Sequence, residues 1–310
     1  MVSLFKNTFI EKRTIVLKKK ITRLSFLLPT LILLAIFILY PAISTLYLSL
    51  VTPSGNIDPI SNYEDVFGRR EIINTKGISQ GFEFPLGALL HNLLWIIIHL
   101  PITTFLGLIL AILLRDVKGN AVIKSIIFLG MVIPMIVGGL IVRFMFDKYV
   151  GIIPSFLNIF GVIPKNWTIY PETALFSMIL GSIWLWTGFS MILYSAGLST
   201  IPQSYYEAAK VDGASPMRIF FSITLPMLKP ITTVVITMTV LWELKIFDLV
   251  YVATMGGPGG SSNVLALQMY LYAFRQYNFT RASVVATILM LITMLVAIPM
   301  IKSSKGEERS

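Results

Sequence analysis

The sequence predicts an all-α, polytopic membrane protein with six transmembrane helices and a cytoplasmic helix-turn-helix. Three observations predict it. Hydrophobic residues fill 55% of the 310 positions, charged residues only 13%, and the mean hydropathy is +0.80. A soluble domain carries about 25% charged residues, so this chain lacks the polar surface to face water. Six segments reach the roughly 20 mostly apolar residues that a spanning helix requires. The connections on one side are strongly basic, and one of them is built as two short helices.

The predicted spans cover about 24–50, 86–114, 121–146, 174–198, 225–251 and 282–301. Pro41, Pro101 and Pro134 fall inside them. Such breakers are tolerated in a membrane where neighbouring helices satisfy the freed backbone groups. The first run is too long for a signal-peptide core and no small-residue cleavage site follows it, so residues 1–23 are expected to be a retained, basic cytoplasmic segment. That segment reads either as an interfacial helix or as a basic tail. The transmembrane body is expected over 24–301, with a cytoplasmic tail over 302–310.

Orientation follows from Lys and Arg. One set of loops and termini holds 16 of the 25 basic residues against six acids. The opposite face carries no net charge. The basic side is expected to be cytoplasmic, with both termini on it. Positive-inside topology and attraction to anionic lipid account for the charge, and no nucleic-acid partner is needed. The outer connections are longer. Residues 52–85 carry Pro, Gly and Asp-Pro turn signals, 147–173 hold a short interfacial helix near 154–161, and "TMGGPGGSSN" is a bent loop.

With no cysteine, disulfides and thiolate chemistry are excluded. His91 and His99 stand alone and read as polar groups facing a neighbouring helix. In the fourth span Ser182, Trp184, Trp186, Thr187, Ser190 and Tyr194 stand out. In the fifth, Thr239, Trp242, Glu243, Lys245, Phe247 and Asp248 do. Acids inside a span are costly and mark function by default. Glu243 reads as pairing with Lys245 or as meeting a cationic or strongly hydroxylated ligand.

Between those spans lies "SYYEAAKVDGASPMRIFFSITLP". Ser204 and Glu207 have capping-box spacing. Asp212-Gly213 ends the first short helix, and Ser215-Pro216 starts the second. Small residues on its outer side permit close approach by another surface. The loop over 200–226 therefore reads as a rigid docking knob or as a loop packed under its own helices.

The stretch "EAAKVDGASPMRIFFSITLPMLKP" resembles the EAA loop of permease subunits in binding-protein-dependent ABC importers. Every fixed position matches: Glu207, Ala208, Ala209, Asp212, Gly213, Ala214, Phe220, Ile223, Leu225, Pro226 and Pro230. "WTGFSMILYSAGLSTIP" and "FDLVYVATMGGPGG" look like the sugar-type branch, and the Gly-Gly-Pro loop like the first of its two permeases. The resemblance covers about 25–301. It implies the type I ABC importer permease fold in a prokaryotic inner membrane. It also implies a second permease subunit, an ATPase dimer and an extracytoplasmic solute-binding protein. ATP and Mg would be bound by the partner ATPase, since this chain has no phosphate-loop motif of its own and needs no cofactor or metal.

By the same resemblance, Glu207, Ala208, Ala209, Asp212, Gly213 and Ala214 dock the ATPase. The substrate path falls on Ser182, Leu185, Trp186 and Phe189 of the fourth span and on Thr239, Trp242, Glu243 and Ile246 of the fifth. Aromatic rings with a few polar groups suit a sugar, an oligosaccharide by this branch. For any one ring plain packing is the commoner reading, since Trp and Phe in a membrane helix more often face lipid or a neighbour. The alternatives are the same machinery carrying a glycerol phosphodiester or polyol, or a self-sufficient secondary transporter. The latter would leave the docking loop unexplained.

Overall fold

A computed structural model describes residues 25–307, with side-chain surroundings for 25–300. The segment 1–23 lies outside the described residues, as do 308–310, and the expected tail is helical from 302 to Glu307. The elements run α1 (Ser25–Leu50), α2 (Pro59–Phe67), α3 (Thr75–Ser79), α4 (Ala88–Leu113), α5 (Asn120–Val132), α6 (Met135–Met145) and α7 (Ile152–Ile159). They continue with α8 (Pro171–Thr200), α9 (Gln203–Val211), α10 (Pro216–Met227), α11 (Lys229–Leu244), α12 (Asp248–Ala253), α13 (Leu265–Tyr270) and α14 (Phe279–Glu307).

Four helices, α1, α4, α8 and α14, are long and apolar enough to cross a membrane alone. Two bent pairs, α5–α6 at 98° and α10–α11 at 65°, complete six if each is one span. The first bend sits where Ile133 is extended ahead of Pro134. Proline disfavours the helical region for the residue before it and has no N–H to donate. The second falls at Leu228, between Pro226 and Pro230.

The expected fifth span, 225–251, is not one rod. Its backbone leaves the helix over 245–247, where Phe247 adopts φ −137° and ψ −61°, and restarts as α12. Asp248 is therefore exposed in the first turn of a new helix, not a mid-span acid. There a carboxylate suits the positive end of the helix dipole.

Helix α8 is the centre of the bundle. Its glycines and those of its neighbours let backbones close in, the usual means of helix association in lipid. A Cβ at Gly130 would stand 2.8 Å from the Trp184 carbonyl, and one at Gly188 would stand 2.8 Å from the Phe128 Cα. The α5–α8 crossing thus depends on both. Buried Trp95, Leu175, Met178, Ile179 and Leu185 fill the core around it.

The long connections are more ordered than turn signals suggest. Asp58 accepts from the Ser61 N–H at 3.1 Å and Pro59 takes the first helical position, so the Asp-Pro pair starts α2. Asp65 in α2 meets Arg281 at 2.6 Å and Arg69 at 2.9 Å, tying α2 to the start of α14. Partial burial works to raise the Asp65 pKa, but hydrogen bonds from Arg281 and Arg69 prevail and hold it below the ordinary value. The interfacial helix runs Ile152–Ile159, two residues earlier than expected. After the Gly-rich loop, Leu265 to Gln268 are buried in α13, an element the loop expectation over 252–281 omitted.

Candidate coupling surface and translocation site

The knob is built from local rules. Helix α9 ends in a Schellman cap: Ala214 N–H reaches Ala209 O at 2.9 Å and Gly213 N–H reaches Lys210 O at 3.1 Å, with Gly213 at φ +72°. Ser215 Oγ then accepts from the Arg218 N–H at 3.3 Å, and Pro216 opens α10. The expected capping box does not form. Pro202 stands at the N-cap, its carbonyl takes the Tyr205 N–H at 3.2 Å, and Ser204 is already inside the first turn.

One side chain anchors the knob. Tyr206 is buried, its hydroxyl lies 3.3 Å from Thr224 Oγ1, and the Arg115 guanidinium sits 4.8 Å above its ring. The loop after α4 and the knob therefore share one end of the bundle, as the charge pattern requires. Outward, Glu207, Ala208, Asp212 and Gly213 are exposed, with Ala209 and Ala214 half-buried. Val211 and Met217 stand out at 88% and 66% exposure. This surface has rigid backbone, small side chains and two unpaired apolar knobs.

The second site lies between α4, α8 and α11. His99 Nδ1 lies 2.7 Å from Glu243 Oε1, and both side chains are 0% exposed. The expected Lys245 partner is wrong: Lys245 follows the last helical residue and is exposed, while Glu243 turns inward to α4. Seven residues before His99, about two turns along α4, Asn92 donates to the Glu243 carbonyl at 2.9 Å and accepts from the Leu265 N–H at 2.8 Å. Both are groups that helix ends leave unsatisfied. His91 bonds Asn263 O at 2.7 Å and accepts from Leu86 N–H at 3.0 Å. Both histidines are thus interhelical or loop-holding groups. Among the described residues no cluster of three His, Cys, Asp or Glu could hold a metal.

An aromatic shelf rests on this polar core. Trp242 stacks on His99 at 5.4 Å and on Trp186 at 4.6 Å, and Phe189 packs at 5.0 Å on Trp186. Trp186 Nε1 donates to Thr239 Oγ1 at 2.8 Å, which fixes the ring across two helices. Aromatic pairs of this kind add ~0.5–1.5 kcal/mol beyond area burial. Of the eight expected path residues, the structure brings Trp186, Phe189, Thr239, Trp242 and Glu243 together. Trp242 and Phe189 are half-buried, with part of each ring open. Ser182 is buried and bonds Ile179 O at 2.8 Å, and Leu185 and Ile246 lie in the apolar core.

Residues 103–302 match the family described as binding-protein-dependent transport system inner membrane component. The chain belongs to that family. A probable ABC transporter permease protein of Pyrococcus horikoshii is 52% identical over 290 residues, covering 92% of this chain and 99% of that protein. The trehalose/maltose transport system permease protein MalF of Thermococcus litoralis is 33% identical, over 90% of this chain and 92% of its own. A bacterial ABC transporter involved in the import of the acidic polysaccharide alginate shares the fold at a TM-score of 0.75 and 20% identity, covering 94% and 98% of the two chains. As a permease of this family the chain is a multi-helix membrane component of an ABC importer. The binding-protein-dependent permease fold accounts for the six spans, two of them bent, and for the helix-turn-helix between the fourth and fifth.

Proposed function

We propose that this permease forms half of the translocation path of an ATP-driven importer for a carbohydrate, an oligosaccharide handed over by an external binding protein. A second permease completes the path. An ATPase dimer binds ATP and Mg and takes the knob at 200–226 into its cleft. The observation that carries the reading is the shelf of Trp186, Trp242 and Phe189, fixed by Thr239 and partly open. Flat rings accept the C–H face of a pyranose while nearby polar groups orient its hydroxyls. The His99 bond engages Glu243, so no cationic solute is needed to explain that acid. The trehalose/maltose permease of Thermococcus litoralis supports the same solute class.

The experiment is uptake into proteoliposomes holding the full complex, with its binding protein outside and ATP inside. Labelled trehalose, maltose and maltotriose are compared with sorbitol and glycerophosphocholine. Saturable, ATP-dependent uptake of a sugar supports the reading. Uptake of only the polyol or the phosphodiester replaces it, and uptake by this chain alone refutes the need for partners. Sidedness is tested by single cysteines, since the chain has none. Met217→Cys should react from the cytoplasmic face and Ile163→Cys from the other.

A further inference from the structure

We propose that the outer part of the path carries a second carbohydrate subsite, an aromatic platform of Phe247, Tyr251, Tyr270 and Phe274 edged by Arg275. The proposal rests on the carbohydrate reading of the shelf.

The platform is continuous. Phe247 stacks on Tyr251 at 5.2 Å and 17°, Tyr270 packs on Phe247 at 5.2 Å and on Tyr251 at 5.5 Å, and Phe274 lies 5.2 Å from Tyr270. Two short helices converge to make it, α12 after the break and α13 with its continuation to Arg275. On the inner side Phe247, Tyr251 and Tyr270 pack against the same apolar cluster that supports Trp242. The outer side is open: Phe274 is 62% exposed, and the other three rings are half-buried. Phe247, Tyr270 and Phe274 also border a groove of about 800 Å³.

Lipid is a poor occupant for this surface. Lys245 lines the same groove and is exposed, Asp248 beside it is exposed, and among the described residues neither has an ion-pair partner. Helix α11 has 16 residues. It rises roughly 24 Å, less than the roughly 30 Å hydrocarbon core, so with Lys229 at the inner interface the break at 245–247 lies at hydrocarbon depth. Non-helical backbone and charged side chains at that depth face water or protein, not acyl chains.

The edge has the right chemistry for a sugar. The Tyr251 and Tyr270 rings meet edge to face at 5.5 Å, and Arg275 follows Phe274 at the end of the same helical segment. Phenol hydroxyls and a planar guanidinium beside exposed ring faces offer donors and acceptors to a pyranose at the rim of a stacking surface. In chain order Phe247 and Tyr251 lie between the shelf at Trp242 and the Gly-rich loop, and Tyr270 and Phe274 follow that loop. A sugar arriving from the binding protein would meet the platform before the shelf, and a longer oligosaccharide would touch both.

The test uses the complete complex in proteoliposomes with its binding protein, and maltose and maltotriose as probes. Tyr251→Ala and Phe274→Ala should raise the KM for maltotriose about tenfold, the loss of one stacking contact, and that for maltose by less than about threefold. Phe274→Trp, which keeps an aromatic face, should retain the maltotriose KM. The variant complexes should still assemble on size exclusion. An equal change for both sugars, or none, overturns the subsite. Loss of assembly overturns it too, because the surface is then a contact between the two permeases. No sugar uptake by the unaltered complex overturns the carbohydrate reading itself, a result distinct from normal uptake without a platform effect.

Discussion

Replacing His99 by Phe isolates the buried pair. The ring that faces Trp242 is kept and Nδ1 is deleted. Glu243 Oε1 then joins Oε2 without a hydrogen-bond partner in a side chain that is 0% exposed. Interhelical hydrogen bonds in membranes average ~0.6 kcal/mol and reach ~1.7. Stranding a buried charge costs ~3–5 kcal/mol. The single variant therefore distinguishes a neutral hydrogen bond from an ion pair by size alone. In domains of 150–250 residues 1 kcal/mol moves the melting temperature by ~2–4 °C; on that scale the former gives a loss of ~1–7 °C and the latter ~6–20 °C. Glu243→Leu added to His99→Phe removes the second partner, and such paired apolar replacements are close to neutral. The double variant should thus recover most of the loss. Thermal unfolding of the four purified complexes, wild type, both singles and the double, reads the coupling directly. If the double variant falls by the sum of the two singles, the pair contributes no coupling and the account of Glu243 fails.

Three further outcomes are expected. Gly213→Val should uncouple ATP hydrolysis from uptake, whereas Gly213→Asn should not. A Cβ there meets nothing within 4 Å, so the penalty is the left-handed φ, ~1–2 kcal/mol for most residues and small for Asn; wild-type coupling in the Val variant, read by substrate-stimulated ATPase activity, sinks the docking role. Trp242→Ala should cut uptake about tenfold by removing the ring between His99 and Trp186, with assembly intact; unchanged uptake removes it from the path. Asp65→Asn should lower the melting temperature near neutral pH and not in acid. A carboxyl held below its ordinary pKa gives stability that is present above the unfolded pKa and lost as pH falls through the folded one. For so exposed a pair that is ~0.5–1 kcal/mol at most, and a difference that persists at about pH 2 refutes it.

Hydropathy and capping rules made the spans and the knob legible in the sequence, because both depend on residues close together in the chain. Asp212-Gly213 and Ser215-Pro216 read correctly for that reason. Ser204 misled because a proline two residues earlier supplies the helix start at lower cost. The break at 245–247 was hidden, since an apolar run continues through it to Tyr251, and Lys245 was its one visible sign. The partner of Glu243 was not legible either. His99 and Glu243 are brought together by the register of α4 against α11, and register between distant helices leaves no trace in local spacing. The α13 helix hid behind a glycine-rich opening, although Leu265, Ala266, Leu267 and Gln268 are all good helix formers.

The Asn92 side chain gives the outer half of the permease its mechanical unit. One amide holds the last turn of α11 through the Glu243 carbonyl and the first turn of α13 through the Leu265 N–H. Everything between those points, the break, α12 and the glycine-rich loop, is a closed ring held to α4 by Asn92 at its base and by His91 at Asn263. Force applied to the loop from outside is delivered to α4 as well as to α11.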